Sequence, residues 1–258
     1  MLGKLLKYEY KATVITFIPI LLAFIVSAAF IRLLGMISTD NIAISILNGL
    51  IIFAFIMLFI VILFFPIISG AQRFRKNLLK DEGYLMNTLP VKSGSLILTK
   101  FIASLSWVVA SFVGAALALL ILIIGNEKFS SVVDELKPVI EMAKNEISKR
   151  PLLVAEVIAL IVLGFIVFLF QLYTAICIGH LSNSKRGLVS VGAFIGLYFV
   201  TEMISMTFAS IFKDFYSTLT TEQALYYTFG PSIIFDLLYL VAFYFITSKI
   251  LTKHLNLE

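Results

Sequence analysis

Charged residues and cysteine are scarce in this chain of 258 residues. Charged side chains make up 14% of it and hydrophobic residues 60%, whereas a typical soluble domain has about 25% charged residues. The single cysteine, Cys177, lies in an apolar run and cannot form a disulfide within the chain. These deficits exclude a soluble globular domain and a disulfide framework, and they indicate that Cys177 is a small buried side chain.

Nucleotide-binding and catalytic motifs are also missing. The sequence has no G-x-x-x-x-G-K-[ST] phosphate-binding loop and no H-E-x-x-H motif. Its two histidines, His180 and His254, fall at predicted helix ends without a serine and acid pattern nearby. We therefore predict that the chain is not an enzyme and has no catalytic residue, metal site or bound cofactor.

Long apolar runs fill most of the sequence. Because a bilayer core takes about 20 apolar residues per helix, we predict an all-α, polytopic membrane protein with about six transmembrane helices in a single domain, residues 1–258. The predicted spans lie near residues 13–34, 45–69, 98–124, 152–178, 187–210 and 231–250. Pro66 and Gly70 are expected to end the second span, and Gly230 and Pro231 to mark the turn into the sixth.

Lysine and arginine are concentrated on one predicted side of the membrane. They occur at both termini and in the connection between the second and third spans, which predicts that both termini are cytoplasmic. The net charge of +5 is thus interpreted as a topology signal, with lipid as the partner and no nucleic acid. Residues 1–12 are predicted to form an amphipathic interfacial helix whose lysines face anionic lipid.

The predicted outer connection, residues 125–150, has apolar residues at helical spacing and reads as an extracellular amphipathic insertion. Pro138 is expected to divide it into two helices. Two interpretations are open. The insertion either rests on the outer membrane surface or forms a lid or docking surface over an outward-facing path.

Four charged residues interrupt the apolar runs, and all are predicted to lie toward the outer side: Arg32, Glu156, Glu202 and Asp236. Charges within a membrane are costly and usually face a protein interior or a wet cavity. Either Arg32 pairs with Glu202 or Asp236, or these three residues belong to a translocation path. Glu156 is close enough to the surface for its side chain to reach water.

The segment 201–230 mixes charged and aromatic residues with apolar ones. It predicts either a plain fifth span or a re-entrant outer segment, which is allowed where protein or water satisfies the backbone. Gly192 and Gly196 form a G-x-x-x-G pattern, which favours close packing of the fifth span against another helix.

The predicted cytoplasmic connection, residues 71–97, contains a basic helix, an acidic pair with a glycine, and a short piece ended by Pro90. Its run D-E-G-Y-L-x-x-T-L-P-V, followed by a lysine-bearing third span, resembles the ABC-2 type permeases of bacterial ABC exporters. The resemblance extends to the whole architecture. It implies that this connection is a coupling helix that docks on a separate ATPase subunit through residues Asp81, Glu82, Gly83, Tyr84, Leu85, Thr88, Leu89 and Pro90.

The resemblance further implies a permease in the bacterial cell membrane that works as a homodimer or with a different permease, while ATP and Mg²⁺ bind the partner ATPase. The expected function is export of an amphipathic substrate, with a peptide or lantibiotic-like compound as the leading candidate. Two other hypotheses are a membrane scaffold or sensor without transport, and a secondary transporter that uses Glu202 and Asp236. The sequence has no internal repeat to support the latter.

Overall fold

The computed structural model describes residues 2–36, 42–79, 93–123, 127–182 and 184–253, and these residues form helices, turns and no strand. The helices are α1 Leu2–Gly35, α2 Ile42–Leu79, α3 Ser93–Ile123, α4 Glu127–Lys149, α5 Pro151–His180, α6 Arg186–Ile211, α7 Lys213–Ser217 and α8 Thr221–Lys253.

Six of these helices are long and apolar enough to cross a membrane: α1, α2, α3, α5, α6 and α8. The prediction of an all-α chain with about six spans is therefore confirmed. Helix α6 is uninterrupted from Arg186 to Ile211, so the segment 201–230 consists of its last turns, the short α7 and the start of α8. The predicted sidedness of the termini stays a prediction.

The predicted interfacial helix 1–12 is not a separate element. Helix α1 runs without a break through its 34 residues, which corresponds to about 51 Å at 1.5 Å per residue. That length exceeds a hydrocarbon core of about 30 Å. Whether the N-terminal turns lie among the lipid headgroups stays a prediction.

The chain divides into two compact units. Unit 1 comprises Met1–Gly70 and Leu98–Ala143, and unit 2 comprises Ala71–Ile97 and Lys144–Glu258. The core of unit 1 lies along one face of α1, where buried residues recur at intervals of three, four and seven. Its buried members are Phe17, Phe24, Ala28, Ile31, Ile62, Ala118 and Leu122.

Helix α2 continues through Pro66 and Gly70, so these residues do not end the helix. Where the membrane span ends within α2 stays a prediction. Proline has no N–H, and it leaves the carbonyl four residues earlier without its helical donor. That carbonyl belongs to Ile62, and the Ser111 hydroxyl of α3 donates to it at 2.7 Å. Membrane helices tolerate proline where a neighbouring hydroxyl satisfies the backbone in this way.

In unit 2, α5 packs against both α6 and α8. The Thr174 and Thr247 hydroxyls are 2.9 Å apart and fully buried between α5 and α8. Gly179 allows α5 to approach α6 closely, because a Cβ there would lie 2.7 Å from the Arg186 carbonyl oxygen.

The G-x-x-x-G prediction is not borne out within the described chain. A Cβ at Gly192 or Gly196 would meet no atom of it within 4 Å. Close helix contacts occur at other glycines instead, at Gly179 on α5 and at Gly114 on α3, which lies against Leu21 of α1.

Two further predictions from proline were wrong. Helix α4 passes through Pro138 as one helix, and α8 passes through Gly230 and Pro231. Proline already has a helical φ, so an exposed helix can continue through it if the freed carbonyl finds another donor, such as water. In α8 that donor is a tyrosine hydroxyl near the candidate site.

Candidate functional site

Two adjoining clefts lie among the helices of unit 2, and both are lined by Glu202 and Ser205 of α6 and by Asp236 and Tyr239 of α8. Their volumes are about 270 and 260 Å³. The first extends toward α7, and the second toward the middle of α5. The remaining polar residues that line them are Thr201, Tyr198, Gln171, Tyr216, Thr228 and Ser232.

The spacing of polar residues along α6 and along α8 produces this polar surface. Residues three or four positions apart share one side of a helix, and Glu202 and Ser205 on α6 follow that rule, as do Asp236 and Tyr239 on α8. The two helices thus bring together two of the three residues predicted for a translocation path. Ser205 lies three positions after Glu202, and Tyr239 lies three positions after Asp236. That spacing was the sequence signal that could have identified Ser205 and Tyr239 as well.

Hydroxyl groups hold α6 and α8 together at the clefts. The Tyr239 hydroxyl donates to the Thr201 carbonyl at 3.1 Å and lies 3.4 Å from the Ser205 hydroxyl. By contrast, among the described residues neither Glu202 nor Asp236 forms an ion pair or a hydrogen bond. The two carboxylates are half-buried, so both can attract a cationic or hydrogen-bond-donating group that enters the clefts.

An apolar groove of about 550 Å³ adjoins the first cleft. Phe208 and Phe235 line both spaces, and their rings meet edge to face with centroids 5.0 Å apart. The other residues of the groove are Val200, Met203, Ile204, Thr207 and Ile211. An amphipathic molecule could therefore place its apolar part in the groove and its polar part against the carboxylates.

The short helix α7 borders the first cleft through Tyr216. The Tyr216 hydroxyl donates to the Tyr227 carbonyl at 2.8 Å. This is the carbonyl that Pro231 leaves without its helical donor, since Pro231 lies four residues later. The bond therefore keeps α8 continuous and fixes α7 beside the cleft.

Arg32 and Glu156 have a different setting from the two cleft carboxylates. Arg32 lies on α1 in unit 1, and its Nε is buried without a hydrogen-bond partner among the described residues. On α5, Glu156 has a buried Oε2 that likewise lacks a partner there. The expectation that Glu156 simply extends to water does not account for that buried oxygen.

Unit 1 has a polar pair that the sequence interpretation missed. The ammonium of Lys100 on α3 contacts the carboxylate of Glu9 on α1, and both side chains are almost fully buried. Next to the pair, the Trp107 Nε1 donates to the Thr13 hydroxyl at 2.7 Å, and the Tyr10 hydroxyl donates to Ser106 at 2.7 Å.

The sequence interpretation counted Lys100 among the cytoplasmic basic residues and noted a lysine in the third span, but assigned it no partner. Its position in the second turn of a long apolar helix was the signal for a buried partner, because membrane helices rarely bury a lysine unpaired.

The predicted ATPase-coupling residues, from Asp81 to Pro90, lie outside the described residues. Leu79 ends α2 before them and Ser93 begins α3 after them. Comparison of the chain with protein families, with curated proteins and with solved structures finds no match.

Proposed function

We propose that the chain is the permease subunit of an ATP-driven ABC exporter that moves an amphipathic substrate out of the bacterial cell. A peptide or lantibiotic-like compound with cationic groups is the leading candidate. The observation that supports this most directly is the adjacency of the apolar groove and the carboxylate-lined clefts, which share Phe208 and Phe235. Such a pair of surfaces suits a molecule with one apolar part and one cationic part.

The energy source in this proposal is a separate ATPase, since the chain has no phosphate-binding loop of its own. The coupling segment with Asp81, Glu82 and Tyr84 would dock on that subunit, and its motion would reach the membrane through α2 and α3, which flank it. Two permease chains, identical or different, would complete the transporter.

The test is co-purification and reconstitution with an ABC-type ATPase subunit encoded in a neighbouring gene. We expect a stable complex whose ATP hydrolysis rises with a cationic amphipathic peptide, and whose vesicles accumulate that peptide only with ATP. Alanine at Asp81, Glu82 and Tyr84 should reduce the peptide-stimulated hydrolysis. The matched control is Glu141→Ala, at an exposed position on α4. Failure to form a complex, together with unchanged coupling in the alanine variants, would refute the proposal.

A secondary transporter is the second candidate, because the described residues offer Glu202 and Asp236 no ionic partner, and such carboxylates can bind and release protons. It predicts uptake or efflux driven by a pH gradient in vesicles without any ATPase. A scaffold or sensor predicts no transport under either condition.

A further inference from the structure

Helix α4 carries an exposed apolar side. Val139, Met142 and Ile147 are 58%, 69% and 52% exposed. With 3.6 residues per turn, these three side chains and Ala143 fall within an arc of about 140°. Glu146 falls in the same arc, and its carboxylate lies 3.6 Å from the Arg150 guanidinium.

The opposite side of α4 is polar, with Glu141, Asn145 and Ser148 all exposed. Helix α4 is not among the helices that are apolar enough to cross a membrane. Its apolar side therefore requires a cover that leaves the other side in water.

The C-terminal end of α4 is fixed to the start of a membrane helix. Only Arg150 separates α4 from α5. The Arg150 N–H donates to the Glu146 carbonyl at 2.8 Å, and the Val154 N–H donates to the Arg150 carbonyl at 3.2 Å. Because no free loop intervenes, the last turn of α4 lies at the membrane depth where α5 begins.

The N-terminal end of α4 is tethered as well. Only residues 124–126 separate it from the end of α3, a connection that reaches at most about 14 Å. Since α3 and α5 can cross the membrane and α4 cannot, both ends of α4 emerge on the same face. A helix of 23 residues, about 34 Å long, that is tethered at both ends lies along that face.

We infer that α4 is an interfacial helix that binds the lipid surface, with Val139, Met142 and Ile147 inserted at the boundary between headgroups and acyl chains. Helices with one apolar and one polar side bind membranes in this way. Acidic and basic residues are nearly balanced along α4, so apolar contact rather than lipid charge holds it there. This inference does not depend on the proposed transport.

The chain provides a clean background for the test, because Cys177 is its only cysteine. In a Cys177→Ala protein, single cysteines are placed on the apolar side by Val139→Cys and Met142→Cys, and on the polar side by Glu141→Cys and Asn145→Cys. Each is labelled with a fluorophore, and the full chain is reconstituted in phosphatidylcholine vesicles. Nitroxide-bearing lipids report contact with the acyl boundary, and iodide reports contact with water.

We expect labels on the apolar side to be quenched by the nitroxide lipid at least about two-fold more than labels on the polar side, with the reverse order for iodide. Equal quenching of the two sides by the nitroxide lipid would overturn the inference. Equal access of iodide to both sides would also overturn it, because a water-exposed lid or an unoccupied protein-docking surface predicts that result. A circular dichroism spectrum matching that of the unlabelled chain ensures that each variant retains its helices. Replacing phosphatidylcholine by an anionic lipid should leave the pattern unchanged.

Discussion

The two units place charge in apolar helices in opposite ways. In unit 1, Glu9 and Lys100 contact each other and are almost fully buried. In unit 2, Glu202 and Asp236 line open clefts and, among the described residues, have no ionic partner. A buried charge pair constrains the helices that carry it, whereas a half-buried carboxylate without a partner is available to a ligand or a proton. Unit 1 thus uses its charges to join two helices, whereas unit 2 leaves its carboxylates open to the clefts.

The largest expected effect comes from removing one member of the buried pair. Lys100→Met takes the ammonium from beside the Glu9 carboxylate and should cost about 3–5 kcal/mol of stability, the range for breaking a buried ion pair. The fluorescence of Trp107, the only tryptophan, follows unfolding of unit 1 directly. Lys249→Met, at an exposed site on α8, is the matched control.

A double variant tests whether that cost comes from the remaining charge. Glu9→Leu combined with Lys100→Met should recover a large part of the stability that Lys100→Met loses, because no buried carboxylate is left. If Lys100→Met costs less than about 1 kcal/mol, the pair resembles a surface ion pair and the comparison of the two units fails.

The next effect concerns the cleft carboxylates and should appear in transport rather than in stability. Glu202→Gln and Asp236→Asn keep the side-chain shape and remove the charge. A hydrogen bond to a charged group contributes about 1.5–3 kcal/mol. Under the proposed export function, transport of a cationic peptide should therefore fall roughly 10–100-fold. The unfolding midpoint should stay close to that of the parent protein.

An uncharged amphipathic peptide supplies the control for the carboxylates. Its transport should be nearly unaffected by Glu202→Gln if the lost interaction is ionic. A variant that unfolds as readily as Lys100→Met would instead assign Glu202 a structural role like that of Glu9.

Proline provides a second contrast between the units. Ser111 satisfies the carbonyl that Pro66 frees in unit 1, and it is 1% exposed. Tyr216 does the same for Pro231 in unit 2, but Tyr216 is only half-buried and its partner Tyr227 is 50% exposed. The same type of hydrogen bond is therefore buried in one unit and at the surface in the other.

Removing each hydroxyl should separate the two cases. Ser111→Ala leaves the Ile62 carbonyl without this donor and should cost about 1–3 kcal/mol, the range for a buried unsatisfied polar group. Tyr216→Phe should cost clearly less if water reaches this surface bond and replaces the lost donor. Denaturant titrations of both variants check the order, and a larger loss for Tyr216→Phe would show that the Tyr227 carbonyl is effectively dry.

These proline sites show where sequence reasoning reached its limit. The six spans follow from local hydrophobicity, and the positions of Glu202 and Asp236 in apolar runs marked them for attention. The fate of α2 at Pro66, however, depends on a serine 45 positions later in the sequence. Local pattern cannot reveal such a donor, so each of Pro66, Pro138 and Pro231 was taken as a helix boundary.

The sequence interpretation missed the Glu9 and Lys100 pair for the same reason. Each residue alone fits a charged segment at the membrane edge, and only the packing of α1 against α3 brings them into contact.

The clefts could be predicted in part from the sequence. The spacing on α6 and α8 places polar groups on one side of each helix, but which neighbours face that side follows from tertiary packing.

The smallest effect tests hydroxyl bonds between helices in the two units. Thr13→Val removes the acceptor of the Trp107 indole N–H in unit 1, whereas Thr247→Val removes one of several contacts of Thr174 in unit 2. The Thr174 hydroxyl still lies 2.8 Å from the Phe170 carbonyl, so its donor stays satisfied. Interhelical hydrogen bonds in membranes average about 0.6 kcal/mol and reach about 1.7. We therefore expect Thr247→Val near the lower value and Thr13→Val near the upper one. A double-mutant cycle of Thr174 and Thr247 isolates the coupling energy of these two hydroxyls. If that energy is close to the coupling energy of Thr13 and Trp107, the two units differ in how they place charge but not in the strength of their interhelical hydrogen bonds.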